Sequence, residues 1–513
     1  MPLDPQLGTS GGGLYPATSQ NVGQQPAGWN KLDDVPAAVN VPFVPDSQYK
    51  VVAARNPAGG IQRLSGLRGQ IALRPAGRRA MTSPPTPTFT TAATIASPKY
   101  WAPVQWNPGN TAISKDVPTY VGATILVGGT GFPDYLAVKS NDVTGSSPLY
   151  LGVSFLHFGR YMEFSLKGRT GFLYVKVNDE YISLTPTTVP NDGNSYYYYV
   201  DFGSVALRRI DILTYNAYVY GIYTQIGDSV MPAPMRGPKT VVVGDSFTGG
   251  SGSTAAVLNS WAMHMAEYLG WDFVYPSGAG GSGYLAGNTP RSRYAADVVP
   301  FAPDVVIYAL GFNDYASFSQ EQIYQECRKT FQLAVQSLPS TMHIVAAPFF
   351  SGGVGKWPAS GSFINAMAAI LQAAREFGLT IVNVTEQPLR EAATTDVLTS
   401  SVTAGGSSIF TGKVWNRTTH LQVDNERVEI NQLTAGTGPF THSIRSPFTA
   451  NHTAGAVITE VGQPIWTGTG RVGATTGYGN SDTWTSSDNV HPTDAGHQGL
   501  GFAMAKALME VLA

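Results

Sequence analysis

Near residue 236 the apolar pattern of this chain changes period, and that change limits what it can fold into. From about 96 to 235 the pattern is strand-like. Segments at 119–127, 149–155, 161–166, 171–177, 196–202 and 208–215 are rich in aromatic and β-branched residues, and turn signals such as Asn191-Asp192-Gly193-Asn194 separate them. This spacing predicts a β-sandwich of jelly-roll type. Within it, Tyr196 to Tyr199 would send alternate rings to opposite faces. Core on one side and plain surface on the other is one reading; a sugar-stacking face is the second. After 236, apolar runs at 240–243, 273–275, 304–310, 343–347 and 380–384 alternate with helical patterns at 255–269, 320–337, 363–377 and 493–512. Such alternation predicts an α/β fold, a parallel sheet between two helix layers, with sites at the carboxyl ends of strands. A stretch rich in Thr, Gly, Ser and Val interrupts the series before Asp488 and reads as a β-rich insertion at about 395–485. Placed there, it would overhang the site.

Chemistry-bearing residues fall at the joints of this pattern. Ser246 follows a strand through Gly244-Asp245. It is expected near the N-terminus of the next helix, where free N–H groups favour developing negative charge. Merely capping that helix is its alternative role. The missing second glycine of a G-x-S-x-G elbow argues against an α/β-hydrolase. In Asp488-Asn489-Val490-His491-Pro492 a base and a carboxylate stand three residues apart, ahead of a helix started by proline. Asp488 can then hold one imidazole nitrogen while the other faces Ser246. His497 is a rival base, but inside the last helix it reads as packing or surface. Asn313, in Gly311-Phe312-Asn313-Asp314 at a strand end, can donate to an oxyanion. The run Gly278-Ala279-Gly280-Gly281-Ser282-Gly283 offers N–H groups with little side chain in the way.

These motifs, in this order, resemble the SGNH (GDSL-type) hydrolases over about 236–395 and 485–513. The likeness extends to Gly270-Trp271-Asp272 and Ala302-Pro303-Asp304. The resemblance implies a flavodoxin-like three-layer domain and a serine esterase that cleaves carboxylic esters. It makes Ser246 the nucleophile, His491 the base and Asp488 its orienter. The oxyanion hole would combine the Ser246 N–H, the Asn313 amide and a glycine amide. Gly280 is the expected glycine, because the family's glycine is typically followed two residues later by Ser or Thr, here Ser282; Gly281 is the other alignment. No cofactor and no metal is implied. A β-sandwich ahead of such a domain is similar to carbohydrate esterases, so the expected reaction is deacetylation of an O-acetylated polysaccharide on a cell surface. A lipase or thioesterase would need an apolar acyl groove, which the polar insertion does not suggest.

Residues 1–95 read as an extended arm rich in Gly, Pro, Ser, Thr and Gln. Arg55, Arg63, Arg68, Arg74, Arg78 and Arg79 occur there with no acidic residue from the first to the last. A solvated tail is one reading; a docking arm ordered by an acidic protein partner is the other. The partner would be a second copy or a phage particle, with this chain as a virion component carrying a host-surface esterase. Net charge is −2 and charged residues are only 13% of the chain, which gives no argument for nucleic acid. No run reaches the ~18 apolar residues of a membrane span, and the N-terminus lacks a secretion signal. Three glycosylation-type sequons, at Asn383, Asn416 and Asn451, therefore read as accidental. One cysteine, Cys327, leaves no disulfide framework, and a packing role on a helix is expected for it.

Overall fold

The computed structural model describes residues 77–96, 98–101, 119–121, 123–126, 135–138, 150–234, 236–347, 361–384, 395–413, 415, 420–435, 438–462, 484–488 and 490–512. Arg55, Arg63, Arg68 and Arg74 of the expected arm lie outside them.

Five parallel strands form the centre of the hydrolase-like half: β1 (Thr240–Gly244), β2 (Val274–Gly278), β3 (Val305–Ala309), β4 (Met342–Ala347) and β5 (Thr380–Asn383). Their order is β2-β1-β3-β4-β5. Every residue of β1, β2 and β3 is buried, as expected of parallel strands covered on both faces. The cover comes from α1 (Trp261–Leu269), α2 (Pro290–Asp297), α3 (Gln320–Ser337), α4 (Gly361–Glu376) and α5 (Asp494–Leu512). α1 packs on α5, and α3 packs on both α2 and α4. Helix α3 opens with a capping box between Ser319 and Gln322, which satisfies two otherwise orphaned N–H groups. Cys327 is buried on α3. Because β2 and β3 lie on opposite sides of β1, the chain reverses its winding there, and a crevice opens at the carboxyl ends. The β1 and β3 ends bear the Ser246 and Asn313 motifs; the β2 end bears the glycine run.

The first half is a ten-stranded sheet whose pairings are antiparallel. Segments that read as separate short strands are joined into two long ones, Tyr150–Val177 and Ser195–Thr224. Gly159 and Gly168, which fall in the gaps between the expected short strands, sit at register shifts where the strand bends, because a bulge bends a strand without ending it. Residues 210–215 pair with 150–155 on one side and 172–177 on the other, while 162–167 lie between 195–200 and 218–224. Each long strand therefore pairs along its length with two sets of neighbours. Leu151, Val153, Phe155, Phe164, Leu166, Tyr198 and Ile212 share a core between them. Tyr150, Tyr174 and Leu213 join the other core, with Trp261, Met263 and Trp271.

The four consecutive tyrosines divide as alternation requires. Tyr198 is buried and stacks on Phe164 at 5.1 Å, and Tyr196 stacks on Phe89 at 4.9 Å. Tyr199 and Tyr197 meet Tyr161 and Tyr223 on the other face. Thr94 N–H crosses to Glu163 on that face at 2.6 Å.

The expected arm boundary at 95 is too late. Residues 88–90 pair with 197–199, and Met81 and Arg79 exchange backbone hydrogen bonds with Tyr181. Arg78 is nearly buried and forms an ion pair with Glu267 of α1 at 2.9 Å. Its acidic partner belongs to its own chain, 189 residues away.

Between residues 395 and 462, within the stretch expected to be an insertion at about 395–485, lies a six-stranded antiparallel sheet. Leu398, Ile409, Trp415, Leu421, Val423, Ile430 and Ile458 build its own core.

Candidate active site

Ser246 lies two residues beyond β1, in a chain of turns. Gly249 N–H donates to Asp245 O at 3.0 Å, and Ser251 N–H to Ser246 O at 2.9 Å. Phe247 N–H is capped by Asp245 Oδ1 at 2.9 Å. The expected helix from 255 is shorter: a 3-10 turn occupies Ala256–Asn259, and α1 starts only at Trp261. No α-helix N-terminus therefore stands directly behind Ser246, and turn amides surround it instead. Three glycines and two serines between 249 and 253 favour turns over helix. Burial pushes the Asp245 carboxyl up to about 7, against the Phe247 N–H, which favours the charge.

His491 Nε2 stands 2.8 Å from Ser246 Oγ. Its Nδ1 stands 2.6 Å from Asp488 Oδ2. Asp488 Oδ1 also accepts the backbone N–H groups of Val490 at 2.8 Å and His491 at 2.9 Å, and the Ser486 hydroxyl at 2.7 Å. Partial burial works against its charge, yet these donors hold the carboxyl far below the usual range. An acceptor so fixed makes Nδ1 the donor nitrogen and leaves Nε2 free to accept the serine proton. The buried ring of Phe247 packs beside the imidazole, centroids 5.5 Å apart. Gly252 has φ of 87°, and a Cβ there would collide with Pro492 O and crowd His491. The turn chain after Ser246 thus lies flat against the base.

At the β3 end, the Asn313 amide donates one hydrogen to Ser282 O at 2.8 Å. An amide nitrogen has two, and among the described residues no partner is seen for the second. A Cβ at Gly280 would meet nothing within 4 Å. The same holds for Gly281, whose φ is 70°, so both present their backbone to open space.

Residues without a recognisable local pattern hold these parts in place. Asp314 is fully buried and accepts the N–H groups of Tyr284 at 2.6 Å and of Leu285 and Ala286 at 3.0 Å each. It pins the glycine loop one residue from Asn313; burial raises its pKa while these amides work against the rise. Buried Arg293 donates to Gly244 O and Ser277 O, each at 2.7 Å, tying the ends of β1 and β2. The rival His497 is fully buried. Its Nδ1 accepts Trp261 N–H at 3.2 Å and its Nε2 lies 3.0 Å from Ser251 O. Burial lowers its pKa to about 4, and both ring nitrogens are occupied, Nδ1 joining α5 to α1 and Nε2 joining it to the turn chain after Ser246. Among the described residues no cluster of three or more metal-ligating side chains occurs, and no helix is long and apolar enough to cross a membrane.

Residues 242–402 match the GDSL-like Lipase/Acylhydrolase family. The chain carries an SGNH-type hydrolase domain. It is a serine hydrolase acting on acyl esters. The family match stops short of the Asp488–His491 loop, which the insertion displaces along the chain. No curated protein matches the sequence. Among solved structures, an acetyl xylan esterase from the rumen bacterium Butyrivibrio proteoclasticus is 15% identical with a TM-score of 0.41, covering 56% of this chain and 90% of that one. A family two carbohydrate esterase from Cellvibrio japonicus is 14% identical with a TM-score of 0.42, covering 57% and 91%. A salicylyl-acyltransferase from a tetracycline biosynthetic pathway is 12% identical with a TM-score of 0.42, covering 57% and 87%. At those scores none of the three bears on what this SGNH domain acts upon.

Proposed function

We propose that the chain is a deacetylase of O-acetylated polysaccharide, in which Ser246, His491 and Asp488 act as a triad. The observation that carries the triad is the pair of contacts on one imidazole, 2.8 Å to Ser246 Oγ and 2.6 Å to Asp488. Ser246 Oγ attacks the acetyl carbonyl carbon while His491 Nε2 takes the hydroxyl proton. The oxyanion is met by the N–H groups of Ser246 and Gly280 and by the second hydrogen of the Asn313 amide. As the tetrahedral adduct collapses, the sugar oxygen leaves with the proton held on His491. Water then attacks the acetyl-serine carbonyl, passing a proton to His491; as this second adduct collapses the carbon–Oγ bond breaks, Ser246 Oγ takes the proton back from His491, and acetic acid departs and ionises to acetate. Asp488 stays ionised throughout and stabilises the imidazolium.

The polysaccharide assignment draws on the β unit ahead of the hydrolase domain, an arrangement similar to that of carbohydrate esterases, and on the open space over Gly280 and Gly281. We read the β unit as a jelly-roll-like sandwich. Acetate release from a panel of acetylated polysaccharides, beside p-nitrophenyl esters of two to eight carbons, tests the whole reading. Release from at least one polymer, with two-carbon esters preferred, is expected. A preference for eight carbons and no polymer activity would point to a lipase instead.

A further inference from the structure

Asn259 lies between the β unit and the catalytic half, and all four hydrogen-bonding positions of its side-chain amide are taken. Its Oδ1 accepts from the Arg78 guanidinium, and from Tyr174 OH at 3.2 Å. Its Nδ2 donates to Thr254 Oγ1 at 3.2 Å and to Asp494 Oδ1 at 3.1 Å. Donors lie on one side and acceptors on the other, so the amide has a single satisfied orientation. Asp494 is the first residue of α5, three beyond His491, and it also accepts Thr254 N–H at 3.0 Å and the Thr254 hydroxyl at 2.6 Å. Thr254 closes the turn chain that begins at Ser246, and Gly252 of that chain abuts His491. Arg78 is fixed in turn by Glu267 and by Leu258 O.

We infer that Asn259 is a positioning residue through which the N-terminal β unit sets the distance between Ser246 and His491; this rests on His491 being the base. Arg78 and Tyr174 hold the amide oxygen, and the amide nitrogen holds the start of α5 against the turn chain. Without that hold, α5 and the turn chain are joined more loosely at the base. A misplacement of about 1 Å is enough to cost up to ~100-fold in rate. Asn259 makes no hydrogen bond to Gly280, Ser282 or Asn313 among those of its side chain, so binding of the acyl group at the expected oxyanion donors is not directly touched. The β unit thereby becomes part of the catalytic scaffold, whatever it binds on its own account.

The test uses the full chain and p-nitrophenyl acetate, with rates normalised to burst amplitude so that unfolded molecules do not count. Asn259→Ala and Asn259→Asp, which sets a carboxylate against Asp494, are each expected to lower kcat about tenfold with KM within about twofold. Arg78→Ala should lower kcat by less, and the Arg78→Ala/Asn259→Ala pair should be no worse than Asn259→Ala alone, as expected of residues in one chain of contacts. If Asn259→Ala fails to fold, Thr254→Val, which deletes the hydroxyl link to both Asp494 and Asn259, should still cut kcat about threefold. Wild-type kcat in the folded Asn259 variants or in Thr254→Val, or losses that simply add, would overturn the inference. Turnover surviving in Ser246→Ala would instead overturn the triad on which it rests.

Discussion

Two antiparallel β units flank the catalytic sheet, and they are joined to it in opposite ways. The unit before the sheet shares its core: Tyr150, Tyr174 and Leu213 pack among the residues of α1 and β2. Polar links reinforce that seam. Asp272, nearly buried, faces Arg236 at 2.7 Å and Arg209 at 3.1 Å, while Arg236 also holds Asp179. The unit inserted after β5 instead closes on itself. Among the described residues its core draws on 398–458 only. Its two Thr-Ala-Gly turns answer one another, Ala404 N–H reaching Asn451 Oδ1 at 2.8 Å and Ala454 N–H reaching Ser401 Oγ at 2.9 Å. Of the two, the first is scaffold and the second is a module. Sequence composition does not separate these cases, because both regions are strand-like; only the placement of apolar and charged partners does.

The contrast predicts different outcomes for damage on each side. Asp272→Ala removes one carboxylate from a nearly buried cluster with two arginines, a loss that costs about 3–5 kcal/mol. Its thermal unfolding should shift down as one cooperative transition for the β unit and the catalytic half together, with esterase activity lost in the same transition. Separate transitions would break the picture of a shared scaffold. Leu421→Ala in the insertion core should cost about 3 kcal/mol but loosen only that module. Hydrogen exchange should rise within 395–462, while turnover of p-nitrophenyl acetate stays within about twofold; a collapse of that turnover would show that the module is not separate.

The smallest effect is one of pH. His452 lies 2.8 Å from Asp424 and 2.9 Å from Glu426 within the insertion. Burial opposes its charge, but the two carboxylates win and raise its pKa. A raised pKa means that this contribution is full below the unfolded value near 6.5 and is lost as pH rises through the folded value. Protection factors in the insertion, which remove the intrinsic rise of amide exchange with pH, should therefore fall somewhat on going from pH 6 to 9, and His452→Gln should flatten that fall. A dependence unchanged in that variant would remove His452 from the account.

Ser246, Asn313, Asp488 and His491 were legible in the sequence because each stands in a short motif at a strand end or before a helix. That the strands of this half are parallel followed from the alternation of patterns; their order did not, and comes from the pairing in the fold. Asn259, Arg293 and Asp494 carry no such signature, and Asp314 ends the Gly311–Asp314 motif without that motif announcing that its carboxylate pins the glycine loop. Their roles come from partners brought close only by folding, as when Arg293 meets Gly244, 49 residues away. Arg78 was misread for the same reason: a basic run with no local acid looks solvated until Glu267 arrives. The long strands were cut short because glycines such as Gly159 signal turns locally, and only the pairing with two sets of neighbours makes them bends.

The central claim is that Ser246, activated by His491, forms the acyl-enzyme. A serine-directed fluorophosphonate, followed by mass spectrometry of proteolytic peptides and by residual esterase activity, tests it most directly. One label per chain on the peptide containing Ser246, loss of activity in step with labelling, and labelling slowed by at least ~100-fold in His491→Ala are the predicted results. Activity that persists after Ser246 is fully labelled, or inactivation with the label on another residue, would contradict it.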